Sequence, residues 1–382
     1  MPESLETRVP FTQLVSVCRM KKIIGGTLFS VRNKEYSGRD VLLAAMIRNE
    51  WEPFENEVRK GIACAKASEE SEDDFEEEIE SAATKFRYDH NLVAADDLTS
   101  WLDEREIEVE EWLDYIHRSL LVSKWSHHLD DILANYPVTD EDLAQIIDCD
   151  AICSGMLNRF SYTLAGRASL YLKKEDPVLL AEFQAQISNA DETSAAHNAG
   201  GTPALHKQIW IQPGDIRRFD IDEEQLQHLV QLEEFFQWFS NYSLTNEAIR
   251  NHIRSYSLDW TQFRFKHLSF PREEMAQEAM LCVKEDGLDF DDIAGHAKIK
   301  IVEEFFNYDD LDDVLKGLFL VAQKGSLVGP VLFQDQFSLF WIVGRSAPTE
   351  QDPEITKKAK DDLLQKIVDR EVADKVRWHF RF

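Results

Sequence analysis

Residues 258–345 limit the fold more than any other part of the chain, because their periodicity dictates an ordered set of elements. The alternation Phe263-Arg264-Phe265-Lys266-His267-Leu268-Ser269-Phe270 predicts a strand. Successive strand side chains point to opposite faces, so Phe263, Phe265 and the His267–Phe270 end can meet a core. Pro271 follows, a residue suited to a first helical turn. Met275, Ala279, Cys282 and Val283 then share one face of a helix that Gly287 ends. A short helix fits Phe290 to Ala297, and a third fits Leu311 to Ala322, stopped by Lys324-Gly325. Gly329-Pro330 marks a turn, and Val331–Phe333 and Phe337–Val343 read as two final strands. The order is strand, helix, short helix, helix, strand, strand.

That order and its punctuation resemble the parvulin family of peptidyl-prolyl cis–trans isomerases, over about a quarter of the chain. Phe265-Lys266-His267-Leu268-Ser269-Phe270 is similar to the family's first strand, which ends on a catalytic-site histidine. Asp289-Phe290-Asp291-Asp292-Ile293-Ala294 is similar to its F-x-x-I/L-A helix, and Lys324-Gly325-Ser326-Leu327-Val328-Gly329-Pro330-Val331 to the turn before its last hairpin. Phe337–Val343 resembles its final strand. Two departures stand out. The second histidine of the family falls on Phe340, and the family's Gly-Gly-x-Leu-Gly segment corresponds to residues 299–310, which hold no glycine. Prolyl isomerisation needs no covalent step, only an apolar pocket that favours the twisted amide over a barrier of ~18–20 kcal/mol. The resemblance implies a catalytic role for His267 and a peptide-binding surface from Phe265, Phe333, Phe340 and Trp341. Taken bare, His267 is equally a strand-end histidine hydrogen-bonded to backbone.

A net charge of −29 argues against a nucleic-acid partner, whose phosphates require clustered lysines and arginines, and against anionic membrane surfaces. A basic protein partner fits the field better. No apolar run approaches the ~20 residues needed to span a bilayer, and Met1-Pro2-Glu3-Ser4-Leu5-Glu6 is acidic with no apolar core behind it, so neither membrane insertion nor a secretory signal is expected. Five cysteines, Cys18, Cys64, Cys149, Cys153 and Cys282, are sparse and odd in number, which predicts reduced thiols and a cytoplasmic setting. Cys149 and Cys153 share a helix face; no second Cys/His pair lies near, so they read as buried thiols rather than a metal pair. Asp114 and His117 have the spacing of a carboxylate-bridged metal site but lack a matching second helix. The acidic run Glu69–Glu80 lacks a calcium loop and reads as the solvated face of a helix capped by Ser68 or Ser71. No metal or cofactor is expected.

Elsewhere helical spacing dominates. An apolar lead-in over residues 8–36 gives way at Ser37 to helices carrying Val41, Leu42, Phe54, Val58 and Ile62. Three helices follow through Phe86 and Leu92, Leu98-Thr99-Ser100-Trp101-Leu102, and Trp112-Leu113. This cadence resembles the N-terminal helical region of SurA-type chaperone–isomerases and of parvulin-like proteins of bacterial peptide export or maturation. Thr139 caps a further helix, Arg159, Arg167, Lys173 and Lys174 form a rare basic cluster, and Ser188–Leu205 reads as a linker. Ile209–Ile211 reads as a short strand, 222–242 as a helix dense in aromatics, and 353–382 as one long helix. The expected fold is mostly α with a small α+β domain, divided into an N-terminal helical region (1–135), a middle helical region (136–257), a parvulin-like domain (258–347) and a C-terminal helix (348–382). By the resemblance, that last helix packs on the N-terminal region.

No hydrolase, metalloprotease or dinucleotide signature occurs. Three functions fit: a chaperone-like binder of polypeptide clients, proline-containing ones among them, with a degenerate isomerase domain; an active prolyl isomerase; and a non-catalytic scaffold of a peptide-tailoring complex.

Overall fold

A computed structural model describes residues 26–71, 75–185 and 222–380. The chain forms two compact units: one runs to Ser240 and resumes at Ile367, and the other is the intervening Asn241–Lys366. The fold is mostly α, with a small α+β domain in the second unit.

In the first unit, strands β1 (Thr27–Val31) and β2 (Lys34–Ser37) pair antiparallel. Ser37 ends the hairpin and opens α1 (Gly38–Ile47). Its hydroxyl accepts from the Asp40 amide at 3.3 Å while the Asp40 carboxylate accepts from the Ser37 amide at 2.7 Å, a reciprocal cap that satisfies two orphan donors. Helices α2 (Trp51–Ser68), α3 (Glu76–Asp89), α4 (Ala95–Glu104), α5 (Val109–Lys124), α6 (Leu129–Asn135), α7 (Asp140–Cys153) and α8 (Met156–Tyr171) follow. Then come α9 (177–185) and α10 (Glu223–Ser243). Their apolar stripes, such as Phe54, Val58 and Ile62 on α2, meet in one core with Phe29, Trp112, Leu143 and Phe160. The chain's end returns to this unit. Strand β7 (Val376–Trp378) pairs antiparallel with β1, giving the order β2-β1-β7. Gly166 of α8 lies where an added Cβ would stand 2.7 Å from Val368 Cγ1, so the glycine permits the approach of the returning helix.

The second unit opens with α11 (Asn246–Ser255), capped by Thr245, whose hydroxyl accepts from the Ala248 amide at 3.1 Å. Strands β3 (Gln262–Phe270), β4 (Val302–Asn307), β5 (Leu327–Phe333) and β6 (Gln336–Ser346) form an antiparallel sheet ordered β4-β3-β6-β5. Helices α12 (Glu273–Lys284) and α13 (Phe290–Ala297) cover one face through Leu268, Phe270, Leu339, Ala276, Phe290 and Ile293. Helix α14 (Asp313–Val321) covers part of the other through Phe263, Phe265, Phe340, Ile342, Leu315 and Phe319. A sheet packed on both faces explains why β6 reads as a continuous apolar run rather than an alternation. The last helix, α15 (Pro353–Lys375), begins here, where Ala359 packs with Ile249, Ile253 and Trp260.

Three expectations change. The C-terminal segment is not one helix to its end: α15 stops at Lys375 and gives way to β7, a strand too short to show a period. Strand β4 was not expected, because an edge strand with acidic residues at 303 and 304 breaks the apolar alternation. Helix α3 starts after Phe75 with no side-chain cap rather than at Ser68 or Ser71; Glu76, Glu77 and Glu78 in its first turn complement the helix dipole instead. The lead-in before residue 26, the linker 188–205 and the strand at 209–211 lie outside the described residues.

Gly166→Ala is expected to cost about 1–3 kcal/mol by overpacking, and the double variant with Val368→Ala to lose less than the sum of the two single changes. Urea unfolding of the four proteins measures both.

Candidate functional site

Residues 263, 265, 267 and 269 of β3 share a sheet face, and antiparallel pairing fixes their neighbours. His267 stands opposite Phe340 on β6 and Val302 on β4. Its ring stacks on Phe340 with centroids 5.6 Å apart and planes at 21°, meets Phe333 edge-on at 5.7 Å, and lies 6.2 Å from Phe265. Phe306 stacks on Phe265 at 5.6 Å and touches Phe333 at 6.1 Å. Phe265 and Phe340 are buried floor residues, at 1% and 0% exposure, whereas Phe306, Phe333 and Val331 are half-buried and Val302 is exposed. The result is an apolar rim around a buried imidazole. Trp341 belongs to the opposite face, where it packs near Phe290 at 6.1 Å, so the structure brings together His267, Phe265, Phe333 and Phe340 but not Trp341.

The polar contacts of His267 are to side chains, not to backbone as its bare reading had it. Nδ1 lies 3.3 Å from the Ser269 hydroxyl, which is 2.9 Å from the Ser338 hydroxyl. Nε2 lies 3.5 Å from Glu304 Oε2, beyond ordinary hydrogen-bond length, and both atoms are buried without a hydrogen-bond partner. Burial pushes the His267 pKa below the usual histidine value, more than the attraction of Glu304 raises it, so the ring is neutral at pH 7. Gly329-Pro330, expected as a turn before a strand at Val331–Phe333, instead lies inside β5, where the pairing with β6 is interrupted between Val328 and Val331. Gly329 has φ of +114°, and a Cβ there would stand 2.5 Å from the carbonyl oxygen of Ser338, so only glycine lets β5 cross β6 beside the serine.

Sequence reasoning missed Glu304, Ser269, Ser338, Phe306 and Val302. Two-residue spacing along β3 already put Ser269 on the face of His267; Glu304, Phe306 and Val302 were out of reach while β4 was unrecognised. Among the described residues no cluster of three or more His, Cys, Asp or Glu side chains could hold a metal ion. Asp114 and His117 gather no further ligand, and the Cys149 and Cys153 thiols lie 3.8 Å apart on α7.

No family model matches this chain, and no curated protein matches it. Solved structures similar to it include the peptidylprolyl isomerase PrsA from Bacillus anthracis, at 12% identity over 56% of this chain and 95% of that one, with a TM-score of 0.25. PrsA from Bacillus subtilis is 18% identical over 62% of this chain and 87% of its own, with a TM-score of 0.22. A Campylobacter jejuni protein described as a SurA-like chaperone is 11% identical over 55% and 86%, with a TM-score of 0.18.

Because folding lowers the His267 pKa, the unfolded chain binds the proton more readily. The stability that His267 contributes is therefore complete above the unfolded value of about 6.5 and is lost as pH falls through it towards the folded value. An NMR titration of the His267 ring should show a midpoint below that of a free histidine. Glu304→Gln should lower it further, since the carboxylate is what favours the imidazolium.

Proposed function

We propose that this protein is a chaperone-like binder of extended or unfolded polypeptide, and that the sheet face around His267 is where the inserted unit grips its client. One observation carries the reading. Half-buried and exposed apolar groups, Val302, Phe306, Val331 and Phe333, ring a floor that holds two unsatisfied hydrogen-bonding atoms, His267 Nε2 and Glu304 Oε2. Apolar rims with a few convergent polar groups are the common form of a ligand site. A client side chain, a proline ring among them, would shield the phenylalanines, and its backbone would engage the polar pair. The net charge of −29 suits clients with basic segments.

The phenylalanine at 340 is the reason for favouring binding over catalysis. It is fully buried and stacked on His267, so on that side the imidazole meets a hydrocarbon ring with no proton or lone pair to offer. A working isomerase is the second reading, supported by the neutral His267 at the base of an apolar rim, since a twisted prolyl amide needs an apolar seat and little else.

Two assays separate these readings. In suppression of aggregation of heat-denatured citrate synthase, the wild-type protein should act at near-stoichiometric amounts, and Val302→Asp with Phe333→Asp should weaken the effect several-fold. In protease-coupled isomerisation of Xaa-Pro tetrapeptides, wild type and His267→Ala should both run at the uncatalysed rate. Isomerisation by the wild type that disappears in His267→Ala overturns the binding-only reading. Absence of any aggregation suppression overturns the chaperone-like role itself.

A further inference from the structure

The helical unit contains a cleft of about 600 Å³ that owes nothing to His267. Helices α2, α5, α7 and α8 supply its walls: Phe54 and Val58, Val122, and Met156 and Phe160 make them largely apolar. Two arginines break that surface. Arg118 is buried, and its stem passes Gly61 so closely that an added Cβ would stand 3.3 Å from Arg118 Cβ. Its Nη2 donates to Asp150 Oδ1 at 2.5 Å, yet its Nε–H is buried with no hydrogen-bond partner. Arg159 lies at the exposed edge, and among the described residues no carboxylate pairs with it. The acidic groups of the rim are already matched: Glu50 accepts from Arg48 at 2.9 Å and Glu57 from Lys60 at 2.5 Å.

A buried guanidinium donor left unmade is costly, and natural structures leave few of them. Here the orphan N–H belongs to a cleft-lining residue whose companion cation has no counter-charge. A carboxylate bound in the cleft would meet a lining that carries both the Arg118 and the Arg159 guanidinium groups, which favour carboxylates as partners. The cleft's volume suits a compact ligand group. It falls within the range of pockets that enclose compact ligands, about 300–1,000 Å³, and capture of a terminal carboxylate is an established mode of peptide recognition.

We infer that this cleft binds the C-terminal carboxylate of a polypeptide whose last residues are apolar. The inference rests on the polypeptide-binding reading for the class of ligand and adds a second grip, on the other unit, that selects chain ends.

The test is fluorescence anisotropy with the full-length protein and three labelled hexapeptides: one ending in Leu-Phe with a free carboxylate, its C-terminal amide, and an amide with Glu in the final position. The free acid should bind at least tenfold more tightly than either amide. Arg159→Gln, at an exposed position, should weaken the acid several-fold and leave the amides unchanged. Arg118→Gln combined with Asp150→Asn replaces the buried pair by neutral groups of like shape and should remove most of the preference. Should that double variant fail to fold, Arg159→Gln decides alone. Equal binding of acid and amide, or no binding of any peptide, overturns the inference, and a Glu-ended amide as tight as the free acid overturns the commitment to a chain end. Retained aggregation suppression with no preference for the acid sinks this inference alone; loss of suppression sinks the reading beneath it.

Discussion

The pairing of β3 with β6 is the contact on which the inserted unit depends. Both strands are covered on two faces, so their register decides at once what α12 and α13 bury and what α14 buries. A slip by one residue would send Phe263, Phe265 and Phe340 to the wrong side. The same register sets His267 against Phe340 and Ser269 against Ser338. The site is therefore a by-product of core packing. Its floor is the core, and its distinguishing features come from the edges, where β4 brings Glu304, Phe306 and Val302 and β5 brings Phe333.

The helical unit reaches its order by other means. Most of its helices are amphipathic and draw their stability from the shared core rather than from propensity. The strong negative charge is placed where it costs least. Acidic residues occupy the first turns of α1, α3, α4, α5 and α7, where the helix dipole favours them. The same acid residues at 40 and 142 complete the caps of Ser37 and Thr139. Pairing of β7 with β1 closes the unit, so residues at the two ends of the described chain share one sheet.

Much of this was legible beforehand, for a physical reason. Where an element buries a regular stripe, as with α2, α7 and α12, or a buried strand runs unbroken, as with β6, the sequence carries the period. The cap at Thr139 was readable because the capping box is local. Elements made by partners rather than by period escaped. β4 is an edge strand interrupted by the acids at 303 and 304, and β7 is three residues that pair with a strand some 350 positions away. The candidate site follows the same rule. Of the residues singled out along these strands, His267, Phe265, Phe333 and Phe340 meet on one face of the sheet, and the pleat turns Trp341 to the other. The Arg118–Asp150 pair joins α5 to α7 across 32 positions, and no local pattern announces it.

In the proposed role, the His267 face receives the client. Hydrogen exchange of the full-length protein, with and without a permanently unfolded polypeptide, reads this most directly. Client binding at this face should slow exchange in segments spanning residues 302–307 and 331–334, at the rim formed by Val302, Phe306, Val331 and Phe333. Unchanged exchange in both segments, under conditions where the client is bound, would contradict it.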